Sequence, residues 1–311
     1  MSRYGPPDVA VIEELPIPLV RPNEVLLRIE AVAVTAGDAR MRGATFPRGF
    51  ALPARLALGL RGPRVRVLGS SFSGVVEQVG SGVTDFAVGD EIAGMNGARM
   101  GAHAQFAAIR ASSIVHKPKQ VSHIEAAGVL FGGTTAMHFL MDRIAEGSRV
   151  LVNGASGAVG SSAVQLAALA GAEVTAVASQ ANVDLVTRLG ATHTINYQEN
   201  AIDDLPDHSF DLVFDAVGNI DRSHGLQLTT PNGYLVLAAA NLWDTIRAGG
   251  RVLASPATES AGDMTYLLGL LEKGKLDPVT RSLGGLEAVV DAYRIVDSGR
   301  KVGNIVVQPW A

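Results

Sequence analysis

The sequence has 311 residues, which is too long for one ordinary domain, so two domains are expected. Hydrophobic residues make up 47% of the chain and charged residues 18%, a composition that supports full cores and argues against long disordered tracts. The net charge of -4 disfavours nucleic acid and acidic membranes as partners, and the absence of cysteine excludes disulfides, a thiolate nucleophile and cysteine-built zinc or iron-sulfur sites.

The amino terminus carries no apolar signal core. The chain also lacks any run of about 18 consecutive apolar residues that would predict a membrane-spanning helix. We therefore expect a cytoplasmic protein.

The first third of the chain consists of short apolar runs broken by Gly, Pro and Asp, a pattern that predicts strands joined by turns. The proline-containing stretch 40–67 is interpreted as a solvated loop, and helical spacing predicts a helix over 124–141. The predicted strands are 25–34, 74–79, 90–93 and 104–109.

After Arg149 the pattern changes to strand, glycine turn, helix and strand. Near-continuous apolar strands separated by helices predict a parallel sheet covered on both faces, which is a doubly wound α/β fold. The predicted strands are 150–152, 174–178, 194–195, 212–214, 234–237 and 252–253, with helices at 163–170 and 183–189. Beyond Gly262 a tail with helices at 264–272 and 286–298 and strands at 278–280 and 304–307 is expected to rejoin the first domain.

A glycine-rich segment, Gly154-Ala155-Ser156-Gly157-Ala158-Val159-Gly160, directly follows the strand 150–152 and opens a helix expected to begin near Ser161. Glycines permit the tight turn and let the backbone approach a diphosphate, which then sits at the helix amino terminus. The segment departs from G-x-G-x-x-G, because Ala155 replaces the first glycine. A tight turn without a ligand is the alternative. The predicted diphosphate-binding residues are Gly154, Ser156, Gly157, Ala158 and Val159.

The end of the second strand of the parallel sheet, 174–178, predicts which cofactor binds. A carboxylate there favours NAD, and its absence admits the ribose 2'-phosphate of NADP. No acidic residue occurs before Asp184, which should already lie in the next helix, so NADPH is favoured over NADH. No Lys or Arg is present either, so NADH stays as the alternative. The predicted phosphate donors are Ser179, Gln180, Asn182 and Tyr197.

With these motifs the sequence resembles the medium-chain dehydrogenase/reductase superfamily, in its zinc-independent, zeta-crystallin-like quinone oxidoreductase branch. The resemblance includes Gly74-Val75-Val76-Glu77, Gly132-Gly133-Thr134-Thr135, Phe214-Asp215-Ala216-Val217-Gly218 and the terminal segment 299–307. It implies a Rossmann sheet inserted into a GroES-like mostly β domain, a cofactor in the cleft between them, and a homodimer. The expected boundaries are 1–118 and 262–311 for the GroES-like domain and 119–261 for the Rossmann domain.

The zinc alcohol dehydrogenases are the competing subfamily. At the positions of their metal ligands this chain has Thr35, Ser70-Ser71 and the apolar pair Val129-Leu130, so no zinc is expected.

The resemblance also implies site residues. Thr35, Arg40 and Ser71 are the candidate donors to the acceptor oxygen; in the better-known quinone reductases an Asn and a Tyr stand in place of Thr35 and Arg40. Thr135 and Asn304 are expected near the cofactor. The loops that should line the nicotinamide and ribose contain Ala216, Val217, Ala238, Ala239 and Ala240.

These features predict transfer of hydride from NADPH to a quinone or an activated C=C bond of a small molecule. The alternative is an NADPH-binding sensor or structural protein with little turnover, which the missing Tyr motivates.

Overall fold

The computed structural model describes residues 1–60, 62–200 and 202–311, and it divides into two compact units. The first unit contains residues 1–46, 51–131 and 259–311, and the second contains 47–50 and 132–258. One unit is therefore inserted into the other, as the resemblance implies. The break between 131 and 132 lies within the helix His123–Leu140. The domain boundaries 118/119 and 261/262 stay expectations.

The first part of the chain builds a mostly antiparallel sheet. Its strand β1 is buried along most of its length, and only Arg28 and Glu30 in its middle are half-buried, so most of the strand is covered on both faces. The elements are β1 (Glu24–Ala33), α1 (Ala36–Gly43), α2 (Ala51–Leu58), β2 (Ser71–Val79), β3 (Glu91–Met95), β4 (Phe106–Arg110), β5 (Ile114–His116) and α3 (His123–Leu140).

The stretch 40–67, interpreted above as a loop, contains the end of α1 and the whole of α2, so that interpretation is wrong for the helical residues. Pro53 is compatible with helix because it is the third residue of α2, where the backbone N–H that proline lacks has no acceptor in the helix. Residue 61 lies outside the described residues.

The second unit contains a parallel sheet with the strand order β11-β10-β9-β6-β7-β8. Strands β7 and β8 lie on one side of β6 and the others on the opposite side, so the sheet is doubly wound, as predicted. Leu151, Val213 and Leu235 are fully buried at its centre. The elements are β6 (Arg149–Asn153), α4 (Ala158–Leu169), β7 (Glu173–Ala178), α5 (Val183–Arg188), β8 (His193–Asn196), β9 (Phe210–Asp215), α6 (Arg222–Leu228), β10 (Thr229–Leu237), α7 (Leu242–Ile246) and β11 (Val252–Leu253).

The tail belongs to the first unit. Its elements are α8 (Ala261–Glu272), β12 (Thr280–Ser282), α9 (Val289–Asp297) and β13 (Asn304–Val307). Strand β13 pairs with β1, and the first sheet has the order β12-β13-β1-β2-β3-β5, with β4 also paired to β1. Tyr293 of α9 is 1% exposed in the core that Leu27, Phe72 and Ile92 also form. No helix among the described residues is both long and apolar enough to cross a bilayer.

A buried carboxylate fixes the junction between β1 and α1. Asp38 accepts hydrogen bonds from the Thr35 backbone N–H (2.8 Å), the Thr35 hydroxyl (2.6 Å) and the Gly69 N–H (2.9 Å). Thr35 in turn accepts from the Asp38 N–H, which completes a capping box. The start of α1 is therefore tied to the loop before β2.

We expect Asp38→Ala to destabilise the first unit by about 2 to 4 kcal/mol, because three buried donors lose their acceptor. The measurement is the free energy of unfolding from urea denaturation. The control Asp85→Ala removes an exposed carboxylate and should change stability by less than about 0.5 kcal/mol. Equal stability of the two variants would contradict the capping role of Asp38.

Candidate functional site

The turn after β6 brings the start of α4 very close to the strand end. Gly154 has φ +79°, a conformation that favours glycine. A Cβ on Gly160 would lie 2.1 Å from the Gly154 carbonyl oxygen, so only glycine permits this approach. The glycines of the motif therefore allow helix and strand to pack in direct contact.

Helix α4 begins at Ala158, three residues earlier than the expected start near Ser161, with Gly157 as its N-cap. No side chain donates or accepts a capping hydrogen bond at Gly157. The amides of the first helical turn have no acceptor within the helix, and the helix dipole favours an anion beside them. A Cβ on Gly157 would have only the Gly154 oxygen within 4 Å, at 3.5 Å. The space around Gly157 thus admits a ligand.

Asp215, at the end of β9, organises the loop that follows it. It is fully buried and accepts hydrogen bonds from the backbone N–H groups of Val217 (2.9 Å), Gly218 (3.0 Å) and Ile220 (3.1 Å). The Asn153 amide on β6 also donates to it at 2.9 Å. The Asp215 carboxylate therefore fixes the loop after β9. Strand β9 neighbours β6, and the strand order reverses between these two strands.

The loops after β6, β9 and β10 lie next to one another. A Cβ on Gly154 would lie 2.7 Å from Val217 Cγ2, and a Cβ on Gly218 would lie 3.2 Å from Ala239 Cβ. The Ala238 N–H donates to the Asp215 carbonyl oxygen at 2.9 Å. The fold thus brings the predicted loop residues together at the carboxyl edge of the parallel sheet, where ligands bind in such folds.

The end of β7 carries polar side chains and no carboxylate. The Asn182 amide donates to the hydroxyls of Ser179 (3.1 Å) and Ser156 (3.2 Å), so it links the end of β7 to the glycine turn. Gln180 and Tyr197 are exposed. Asp184 lies inside α5, as predicted. This edge can therefore receive an additional phosphate without repulsion from an acidic side chain.

Two predicted cofactor residues belong to other elements than these loops. Thr135 is on α3 in the second unit, and Gly132, one turn earlier on that helix, would bring a Cβ to within 2.2 Å of the Ala158 carbonyl oxygen. Asn304 is in the first unit, at the start of β13, and its amide donates to the Pro278 carbonyl oxygen at 2.7 Å.

The three candidate donors to the acceptor, Thr35, Ser71 and Arg40, differ in whether their N–H or O–H groups already have hydrogen-bond partners. The Thr35 hydroxyl donates to Asp38, and the Ser71 hydroxyl donates to the Ala127 carbonyl oxygen at 2.7 Å. Both residues are buried. Arg40 is half-buried on α1, and its guanidinium makes neither an ion pair nor a hydrogen bond with any residue in the described ranges. Arg40 alone of the three keeps unpaired donors.

The residues at the zinc positions do not fit the metal. Thr35 and Ser71 offer hydroxyls that already serve a buried carboxylate and a backbone carbonyl, while Val129 and Leu130 are apolar and buried. In the part of the chain that is described, no group of three His, Asp or Glu residues could hold a metal ion.

Sequence reasoning did not find the roles of Asp38 and Asp215. Both act through backbone N–H groups, so neither has a fixed partner residue type. The available signal for Asp215 is an acidic residue directly after an apolar strand and before small residues, and for Asp38 it is a capping-box spacing from Thr35.

The two halves of the chain match separate family models. Residues 21–119 match the alcohol dehydrogenase GroES-like domain, and residues 158–255 match the zinc-binding dehydrogenase domain. Apart from 47–50, the first region falls in the first unit, and the second region falls in the second unit.

Several relatives match nearly the whole chain. The NADPH-dependent alkenal/one oxidoreductase of Arabidopsis thaliana, a chloroplastic protein, is 30% identical over 99% of this chain and 78% of its own length. The 2-methylene-furan-3-one reductase of Solanum lycopersicum is 30% identical over 98% of this chain and 77% of its own length. The structure of the quinone oxidoreductase from Coxiella burnetii superposes with a TM-score of 0.86 at 26% identity, covering 99% of this chain and 97% of that protein. The chain therefore belongs to the medium-chain dehydrogenase/reductase superfamily, in its quinone oxidoreductase branch.

Proposed function

We propose that this protein is a zinc-independent, NADPH-dependent oxidoreductase that reduces a quinone or an activated C=C bond of a small molecule. The observation that carries the proposal is the uncapped start of α4 at the point where the strand order reverses, beside a strand end without a carboxylate. The names of the relatives, which are alkenal, furanone and quinone reductases, support the class of acceptor.

The second unit would bind the cofactor, which when bound supplies the hydride. The amides of Ala158 and Val159 would donate to the diphosphate, and the loop that Asp215 fixes would hold the ribose and nicotinamide. Because the loop amides already face the Asp215 carboxylate, little ordering is needed when the cofactor binds. The ribose 2'-phosphate, which NADPH has and NADH lacks, would be bound by Ser179, Gln180, Asn182 and Tyr197.

On the acceptor side, Arg40 is the proposed donor. Thr35 and Ser71 could bind an acceptor oxygen only by giving up a hydrogen bond in a buried environment, which costs about 1 to 3 kcal/mol. Arg40 requires no such exchange. A quinone or an enone is the acceptor class that needs least polarisation, which agrees with a site that offers hydrogen-bond donors in place of a Lewis acid. The homodimer and the cytoplasmic location stay predictions.

The proposal predicts oxidation of NADPH, followed by its absorbance, with benzoquinone, phenanthrenequinone or methyl vinyl ketone as acceptor. A chelator should leave the rate unchanged, because no metal takes part. Tight NADPH binding without turnover across the panel would instead favour the sensor or structural alternative.

Replacing Gly157 by Val should weaken NADPH binding at least about tenfold, because the side chain fills the space that the diphosphate would occupy. The fold should persist, since the backbone at Gly157 is extended and the added Cβ meets only one atom, at an ordinary contact distance. Calorimetry measures the affinity. The control Gly269→Val, in α8 where a Cβ meets nothing, should bind normally. Unchanged affinity of Gly157→Val would place the diphosphate elsewhere.

Placing a carboxylate at the end of β7 should shift the cofactor preference. We expect Ser179→Asp to lower the ratio of kcat/KM for NADPH to that for NADH by about tenfold or more, because the new charge repels the additional phosphate and can accept from the ribose hydroxyl. The control Thr187→Asp adds the same charge on the exposed side of α5 and should leave the ratio unchanged. A ratio unaffected by Ser179→Asp would contradict the assigned phosphate site.

A further inference from the structure

A pocket of about 650 Å³ lies in the first unit beside α1. Its walls include Gly5 and Pro6, the face of α1 that carries Ala36 and Arg40, and Asp297 at the end of α9. Pockets of about 300 to 1,000 Å³ are typical of small-molecule sites. The pocket is therefore large enough for a small molecule or for the polar end of a larger one.

Two guanidinium groups line this pocket, and one of them is neutralised. Arg42 is buried and forms an ion pair with Asp297, with 2.6 Å between Nη2 and Oδ2. It also donates to the Gly5 carbonyl oxygen and stacks over the ring of Tyr293. The charge of Asp297 is thus matched by Arg42, and Arg42 is held in place on three sides.

The second guanidinium, that of Arg40, has no such partner. No ion pair or side-chain hydrogen bond joins it to a residue in the described ranges, and burial lowers its pKa without a carboxylate to oppose the shift. Asp38, the other carboxylate of α1, is occupied by Thr35 and Gly69. Since an arginine keeps its proton even when buried, the pocket carries one uncompensated positive charge.

We propose that this pocket binds the carboxylate of a small molecule through Arg40, and that the electron acceptor of the enzyme therefore carries a carboxylate group. The acceptor part of this inference rests on the proposed function, while the binding of a carboxylate does not. Three features of the pocket lead to this ligand class.

A guanidinium donates two parallel hydrogen bonds to a planar carboxylate, which matches its fork geometry. A single uncompensated charge balances a monoanion, whereas a phosphate dianion would need a second free cation, and Arg42 is already paired with Asp297. A neutral ligand would leave the half-buried charge without a counterion, which is unfavourable. A monocarboxylate is thus the best match for the pocket.

Binding can be tested without turnover. Levulinate, a saturated keto acid, and its neutral methyl ester are titrated by calorimetry into the full-length protein. We expect the acid to bind at least about tenfold more tightly than the ester, the contribution of one charge-assisted hydrogen bond. Equal affinity for acid and ester would overturn the proposal.

Variants locate the site. Arg40→Gln should weaken levulinate binding about 10- to 100-fold, and Arg40→Lys, which keeps the charge but loses the fork, should weaken it less. The control Arg21→Gln removes an exposed arginine outside the pocket and should bind as the wild type does. Melting temperatures establish that each variant is folded. Loss of binding in Arg21→Gln, or none in a folded Arg40→Gln, would contradict the assignment to Arg40.

Turnover then tests whether the carboxylate belongs to the acceptor. Acetylacrylate and its methyl ester are the same enone with and without the charge. We expect a higher kcat/KM for the acid, with the acid-to-ester ratio falling about 10- to 100-fold in Arg40→Gln and not in Arg21→Gln.

The outcomes separate the two proposals. If levulinate binds through Arg40 but acid and ester react equally, the carboxylate site stands and its link to the acceptor is overturned. If neither compound reacts while levulinate still binds, the proposed function fails and the carboxylate site does not.

Discussion

The close approach between the Gly154 carbonyl and Gly160 is the contact on which the second unit's site depends. Because a side chain at Gly160 would lie 2.1 Å from that oxygen, the start of α4 can pack against the end of β6 only with glycine there. This packing points the first-turn amides of α4 at the carboxyl edge of the sheet. Asp215 fixes the loop across the point of strand reversal through three backbone hydrogen bonds. The two constraints together hold the glycine turn and the loop after β9 in place without a ligand, which is the arrangement that the proposed diphosphate site requires.

In the first unit, buried or paired carboxylates likewise fix both ends of α1. Asp38 ties the start of α1 to the loop before β2. Asp297 forms an ion pair with Arg42, which lies at the end of α1. With both carboxylates occupied, Arg40 is left as the charged group without a counterion. The unpaired charge therefore follows from how the helix is fixed in place, and not from the arginine alone. A chain with a neutral residue at position 40 would keep the same helix and lose the proposed preference for an anion.

Local patterns in the sequence predict most of the fold. The strands of the second unit are near-continuous apolar runs, so periodicity and glycine turns locate them to within a few residues, and the glycine motif predicts the turn after β6. Features that depend on contacts between distant residues were not predicted. The ion pair between Arg42 and Asp297 joins residues 255 positions apart. The end of α1 and the whole of α2 lie in a stretch whose prolines indicate a loop. The sequence predicts the start of α4 three residues late, because Ala158 and Gly160 are small and give the first turn no apolar stripe.

The central claim is that the backbone amides at the start of α4 bind the cofactor's diphosphate, and hydrogen exchange measures this directly. Exchange of the amides in 154–160 is followed by mass spectrometry with and without saturating NADPH. The account predicts slower exchange in this segment on binding, because its free N–H groups become hydrogen-bonded to phosphate oxygens. Unchanged exchange in 154–160, with NADPH protecting a different part of the chain, would contradict it.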